Sequence, residues 1–218
     1  MGETSLEPIL RLLDDWQVYG FSEEHEVSDR IREADIVLSN KSVVSASAMD
    51  AAPQLKLITI MATGTNIVDL AAATRLNITV CNSRGYGTAS VAQHTLTLLL
   101  NLATRMPSYL QAVNEGEWQR SQVFSLLQHP IIELEGKTLG IVGHGELGMI
   151  DSQALIDAIE NKTIAGAALD VLEMEPPSAD DALVAAAKRL PNLLITPHCA
   201  WGASESRDRL VLQVAENI

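Results

Sequence analysis

An apolar, β-rich run, Lys137-Thr138-Leu139-Gly140-Ile141-Val142, leads without a break into Gly143-His144-Gly145-Glu146-Leu147-Gly148. Glycines in a G-x-G-x-x-G pattern directly after a strand-like run imply a βαβ unit. The first glycine permits the tight turn, the second lets the backbone approach a pyrophosphate, and the third allows a helix to pack closely on the strand. Free amides at the helix start then hold the phosphate charge. The pattern alone also suits a glycine-rich turn with no ligand. Its strand context favours the dinucleotide loop, with Gly143, Gly145, Glu146, Leu147 and Gly148 on the cofactor side.

Two more strand ends carry acid/base chemistry. The apolar run Leu193-Leu194-Ile195 reads as a short buried strand that Pro197 terminates, so His198 is presented at its carboxyl end, where open α/β sheets hold their ligands. Glu175, beside Pro176, leaves a second strand, expected over 167–172, in the same way. A carboxylate within reach of an imidazole favours the protonated ring and sets its tautomer, which suits a histidine that exchanges a proton with a carbonyl oxygen. Taken singly, Glu175 reads as a solvated loop acid and His198 as a strand end; the glycine motif upstream is the second signal that favours the pair.

Toward the amino end, strand-like runs alternate with helical ones: Ile36-Val37-Leu38, then 57–61, then Thr79-Val80-Cys81. The loop Ala62-Thr63-Gly64-Thr65-Asn66 can turn backbone amides toward an anion. A helix is expected over 6–16, a long one over 89–114 that is apolar on most faces and therefore buried on several sides, and a last one over 205–218. The fold class is α/β, with parallel sheets.

These segments carry a resemblance. The runs 57–66 (LITIMATGTN) and 80–94 (VCNSRGYGTASVAQH), the glycine pattern, Asp170-Val171-Leu172-Glu173-Met174-Glu175-Pro176 and Thr196-Pro197-His198-Cys199-Ala200-Trp201 together are similar to the D-isomer-specific 2-hydroxyacid dehydrogenases. Trp201, three residues after the histidine, points to the glycerate dehydrogenase (hydroxypyruvate reductase) branch. The resemblance implies two Rossmann-like domains: a flavodoxin-like substrate domain over 1–88 and a dinucleotide-binding domain over 89–200, with a helix over 201–218 returning to the first. It implies His198 as general acid/base, Glu175 as its orienting partner, amides around Ala62, Thr63 and Gly64 on the substrate carboxylate, and Val91 and Asp170 near the nicotinamide of NAD or NADP. It also implies a small 2-oxo or 2-hydroxy acid as substrate, and a homodimer packed through the 89–114 helix.

The chain departs from the family directly after Gly148, where Met149-Ile150-Asp151-Ser152-Gln153-Ala154-Leu155 resembles the segment that follows the family's catalytic arginine. Gly145-Glu146-Leu147-Gly148 stands where Ala-Arg-Gly-Gly is expected, so no arginine here matches the one that binds the substrate carboxylate. An internal segment is expected to be missing near 148–149, leaving the dinucleotide domain incomplete. Read literally, 146–161 would be a helix and 164–172 a strand. Two functions follow: an NAD(P)-dependent oxidoreductase on small 2-hydroxy acids, favoured by the acid–histidine pair, or a non-catalytic dinucleotide-binding sensor or interaction module, favoured by the missing arginine. The residues that would separate NAD from NADP belong to the missing segment.

The remaining residues narrow the partners. A net charge of −13 repels nucleic acid, and no run reaches the length of a membrane helix. With 47% apolar residues, only two cysteines and no cationic leader, the composition fits a cytoplasmic enzyme with reduced thiols. His94 reads as a packing residue of the long helix, His25 as solvated, His129 as a loop residue before Pro130, and His144 as a variable position of the glycine pattern. None shows metal-ligand spacing. Arg84 lies nearest the expected substrate loop, with a structural role equally open, and Trp201 suits either a cleft wall or interdomain packing.

Overall fold

The computed structural model describes residues 4–142 and 150–218, so the glycine pattern from Gly143 to Gly148 lies outside the described residues, as does Met149. The chain divides into two compact units, Met1–Ser90 with Trp201–Ile218, and Val91–Ala200.

The first unit holds α1 (Glu7–Leu10), α2 (Glu24–Arg30), β1 (Ile36–Ser39), α3 (Ala46–Asp50), β2 (Leu57–Ile60), α4 (Leu70–Arg75) and β3 (Thr79–Asn82). The three strands form one parallel sheet in the order β1-β2-β3, with Ile36 opposite Leu57 and Leu57 opposite Thr79. Parallel sheets are covered on both faces, and the central strand shows it: Ile58, Thr59 and Ile60 are all fully buried. Polar side chains stop the backbone at the helix starts. Ser45 accepts from the amide of Ala48 and Asp69 from that of Ala72, while Glu23 and Glu26 form a reciprocal capping box on α2. Val27, Ile31, Val44, Met49, Ile58 and Ile60 anchor one core cluster; a second gathers Ile9 and Tyr86 with Leu210, Val211 and Val214. Those last three belong to a helix over Ser204–Asn217, whose Asn217 Nδ2 donates to the buried Thr59 hydroxyl at 3.3 Å. The expected helix over 6–16 is cut to Glu7–Leu10: Ile9 is its one buried residue, while Leu10, Leu12 and Leu13 stay exposed.

The boundary to the second unit falls inside α5 (Thr88–Thr104), which is followed by α6 (Met106–Asn114), α7 (Glu117–Arg120), α8 (Ser152–Glu160), β4 (Ala167–Leu169), α9 (Ala182–Arg189) and β5 (Leu193–Ile195); the Ser204–Asn217 helix is then α10. The expected single helix over 89–114 is broken at Arg105, which takes a left-handed φ of 54° one residue before a helix that has Pro107 in its first turn. Within one chain, Ala103 is the buried residue of α5, while Leu96 and Leu100 are 58% and 53% exposed.

In this unit β4 and β5 pair in parallel, Ala167 opposite Leu193, and α9 is the crossover between them. Gly166 is required at the entry to β4, because a Cβ there would meet the carbonyl oxygen of Asn192 at 2.7 Å. Ile156 and Ile159 of α8, Leu169, Leu172, Leu183, Ala186 and Leu193 close the core. The strand expected over 167–172 stops at Leu169, since its neighbour β5 ends at Ile195 and turns at Thr196-Pro197, after which the two segments are joined by single hydrogen bonds such as that from the His198 amide to the Asp170 carbonyl. The run over 137–142 is not a strand. Leu139, Ile141 and Val142 are 51%, 73% and 70% exposed, because neither strand of the two-stranded sheet pairs with them. No helix among the described residues is long and apolar enough to cross a membrane.

Candidate active site

Beyond β5 the chain passes through Thr196 and Pro197, and His198 takes a left-handed backbone conformation, φ 51°. For a residue with a Cβ that conformation costs about 1–2 kcal/mol and persists only where neighbours enforce it. Here they do: the His198 amide donates to the carbonyl oxygen of Asp170 at 2.8 Å. The result turns the imidazole toward Glu175, with Nδ1 2.5 Å from Oε2. The other carboxylate oxygen of Glu175 accepts the amide of Leu172 at 2.9 Å, so the acid is held from two sides. A carboxylate can only accept from the ring, so Nδ1 carries a hydrogen and Nε2 is left to face a reactant; among the described residues it has no hydrogen-bond partner. Side chains 39% and 32% exposed keep the pair open to a small molecule.

Asp170, at the end of β4, organises the same turn. Its Oδ1 accepts from the Thr196 hydroxyl at 2.5 Å and the Cys199 amide at 3.0 Å; its Oδ2 accepts from the Ala200 amide at 2.9 Å. The ring Nε2 of His94, on α5, lies 2.9 Å from Thr196 Oγ1 and 3.5 Å from Asp170 Oδ1. Burial alone would push the Asp170 carboxyl up, yet the Thr196 hydroxyl, the Ala200 and Cys199 amides and the His94 ring together hold it below the usual carboxylate range. Burial and the neighbouring Asp170 charge push the Cys199 thiol up. Donor atoms of His94, Asp170 and Cys199 come within 4.8 Å of one another, a grouping that no sequence spacing announces. Asp170 Oδ1 is already engaged by a hydroxyl and an amide and the thiol keeps its proton, so these atoms read as a hydrogen-bonded network. Thr196 and the His94 contact went unread in the sequence because the two residues lie 102 positions apart.

The remaining site candidates belong to the first unit or to the start of α5. After β2, Ala62 packs on the first core, while Thr63 and Gly64 are exposed. The Thr63 hydroxyl donates to the carbonyl of Ser83 at 3.0 Å, and Asn82 Nδ2 donates to the carbonyl of Thr63 at 2.7 Å. These bonds fix the loop through its carbonyl side, and the amides of Thr63, Gly64, Thr65 and Asn66 have no acceptors among the described residues. Val91 is 44% exposed on α5. Arg84 is exposed, with its carbonyl taken by Gln213, and Trp201 packs on the cluster built around Leu210. His25 is exposed; His129 meets Tyr109 edge-on, its carbonyl accepting the phenol at 2.7 Å.

Comparison with known proteins adds the family. The profile described as D-isomer specific 2-hydroxyacid dehydrogenase, catalytic domain, matches residues 3–218. A glycerate dehydrogenase of Methylorubrum extorquens is 29% identical, with 88% of this chain and 84% of the relative covered. A hydroxypyruvate reductase of Blautia hydrogenotrophica is 27% identical over the same shares. Those alignments run over 266 and 273 positions against 218 residues in the whole chain, so inside the matched span the relatives carry residues with no counterpart here. Among solved structures, the NADPH-dependent glyoxylate/hydroxypyruvate reductase of Sinorhizobium meliloti, in complex with NADP and malonate, has the same fold, with a TM-score of 0.70, 22% identity, and 89% and 83% of the two chains covered.

Proposed function

The chain belongs to the D-isomer specific 2-hydroxyacid dehydrogenase family, and on that premise we propose that it is an NAD(P)-dependent oxidoreductase interconverting a small D-2-hydroxy acid and its 2-oxo acid, of the glycerate/hydroxypyruvate or glyoxylate type. The observation that carries this reading is the 2.5 Å contact between His198 Nδ1 and Glu175 Oε2 at the carboxyl end of β5. In the reducing direction the protonated ring gives the hydrogen on Nε2 to the carbonyl oxygen of the oxo acid. The Glu175 carboxylate keeps Nδ1–H in place and balances the cation; in the oxidising direction the neutral ring takes the proton back. Amides around Ala62, Thr63 and Gly64 hold the substrate carboxylate.

The cofactor side fits in part. Asp170 sits at a parallel strand end and Val91 is exposed, as a nicotinamide neighbourhood requires, and Gly143, Gly145, Glu146, Leu147 and Gly148 would hold the pyrophosphate. The bound nicotinamide supplies the hydride. The run over 137–142, which should feed that loop as a strand, lies outside the sheet. This favours a second reading, a non-catalytic dinucleotide-binding sensor or interaction module, as does the absence of an arginine matching the family's carboxylate binder. The exposed leucines of α5 and α6, among them Leu96, Leu100 and Leu110, suit a homodimer contact over 89–114. Free Cys81 and Cys199 suit a reducing cytoplasm.

The deciding experiment follows NADH and NADPH oxidation with hydroxypyruvate and with glyoxylate, beside calorimetric titration of both dinucleotides. Turnover of either acid supports the dehydrogenase. Dinucleotide binding with no turnover supports the module, and neither binding nor turnover sinks both readings.

A further inference from the structure

We propose that His94 is a positioning residue for His198, acting through Thr196 and Asp170. This rests on the reading of His198 as the acid/base of the site. Three successive amides, those of His198, Cys199 and Ala200, end on one residue: the first on the Asp170 carbonyl at 2.8 Å, the others on its two carboxylate oxygens at 3.0 and 2.9 Å. That cradle is what holds a histidine in a left-handed conformation with φ 51°. Its orientation depends on Asp170 staying ionised and aimed.

The hydroxyl of Thr196 does the aiming. It donates its one hydrogen to Asp170 Oδ1 at 2.5 Å, so toward His94, 2.9 Å away, it can only accept. His94 must therefore carry a hydrogen on Nε2, and the order of donation runs from the His94 ring to the Thr196 hydroxyl to the Asp170 carboxylate. The ring nitrogen is also 3.5 Å from that carboxylate, adding attraction whenever the ring is charged. His94 sits on α5, while Thr196 and Asp170 follow β5 and β4, all in the second unit. The contact thus pins the turn that carries the acid/base to a separate helix. The contacts of His94 run to Thr196 and Asp170, so its effect on chemistry passes through the geometry of the turn that carries His198.

The test uses the full chain and reads geometry and turnover separately. In His94→Leu and in Thr196→Val, amide hydrogen exchange at His198, Cys199 and Ala200 accelerates about tenfold or more, while Ile156 and Leu183 in the same core keep their protection. Turnover of the oxo acid drops ~10- to 100-fold in kcat, the size of effect a small misplacement causes, with KM moved far less. His94→Gln, which returns an amide N–H donor, and Thr196→Ser, which returns the hydroxyl, recover most of the loss. The double variant His94→Leu/Thr196→Val is no worse than the poorer single one, because both break one chain of bonds. Unchanged exchange at the three amides in His94→Leu overturns the proposal whether or not the chain turns over. So does equal loss in the Gln and Leu variants, or full additivity in the double one. Wild-type turnover in His198→Ala instead removes the reading of His198, and leaves the exchange result to judge the His94 contact by itself.

Discussion

The carbonyl oxygen of Asp170 accepts the amide of His198 at 2.8 Å, so the last residue of one parallel strand's extension holds the backbone of the other's. The side chains then diverge: the Asp170 carboxylate turns to Thr196, Cys199 and Ala200, and the imidazole turns to Glu175. The acid that positions the backbone and the acid that orients the ring are different residues, and substitutions separate their effects.

His198→Ala is expected to lower oxo-acid reduction by about 10²-fold or more, the usual contribution of general acid catalysis. Because position 198 is left-handed, His198→Gly unfolds at higher urea than His198→Ala, by about 1 kcal/mol. Near-wild-type turnover in the Ala variant removes the histidine from the mechanism; equal urea midpoints remove the backbone argument.

Glu175→Gln keeps the size of the side chain but replaces a pure acceptor with an amide that can turn either its oxygen or its NH2 toward Nδ1, so the ring is no longer fixed with its hydrogen on that nitrogen. Turnover of the oxo acid is expected to fall about tenfold or more through kcat, with KM moved far less. Parent-like kcat would show that the 2.5 Å contact has no catalytic consequence.

Asp170 titrates below its ordinary value of 3.8 in the folded chain. A depressed carboxyl stabilises the fold fully above the unfolded value and loses that contribution as pH falls through the folded one. The second unit should therefore weaken in acid from about pH 4 downward, and Asp170→Asn should flatten that dependence while lowering stability at neutral pH. Urea unfolding followed on Leu169 and Leu193 amides from pH 6 to 2.5 measures it, and identical slopes for the two proteins would contradict it.

Gly166→Ala places a Cβ 2.7 Å from the Asn192 carbonyl oxygen. We expect a destabilisation of about 1–3 kcal/mol confined to the second unit, since overpacked backbone must shift. Unaltered unfolding of that unit would show that β4 and β5 separate at no cost.

Inserting between Gly148 and Met149 the segment that a glycerate dehydrogenase relative carries should raise NADH or NADPH affinity at least tenfold. It should also protect the amides of Leu139, Ile141 and Val142 from exchange, as new neighbours recruit 137–142 into a sheet. Calorimetry and exchange read the two effects, and an insert that changes neither would mean that the missing residues lie elsewhere.

Local pattern was sufficient for the elements that carry their own signal. Leu193-Leu194-Ile195 ended by Pro197 was readable as a short strand, and the runs at 36–38, 57–61 and 79–81 as parallel strands, because a buried strand between turn residues is announced by its own side chains. Tertiary structure decided the rest. The run over 137–142 has the composition of a strand and is none, since a strand exists only where a neighbour completes its ladder. The helix over 89–114 has a continuous apolar pattern and still breaks at Arg105. The left-handed His198 and the bonds joining His94, Thr196 and Asp170 depend on partners 26 and 102 positions apart, and hydrogen bonds across such separations leave no periodicity in the chain. Composition and spacing bring the acid and the histidine to neighbouring strand ends; only the packed sheet sets which oxygen meets which nitrogen.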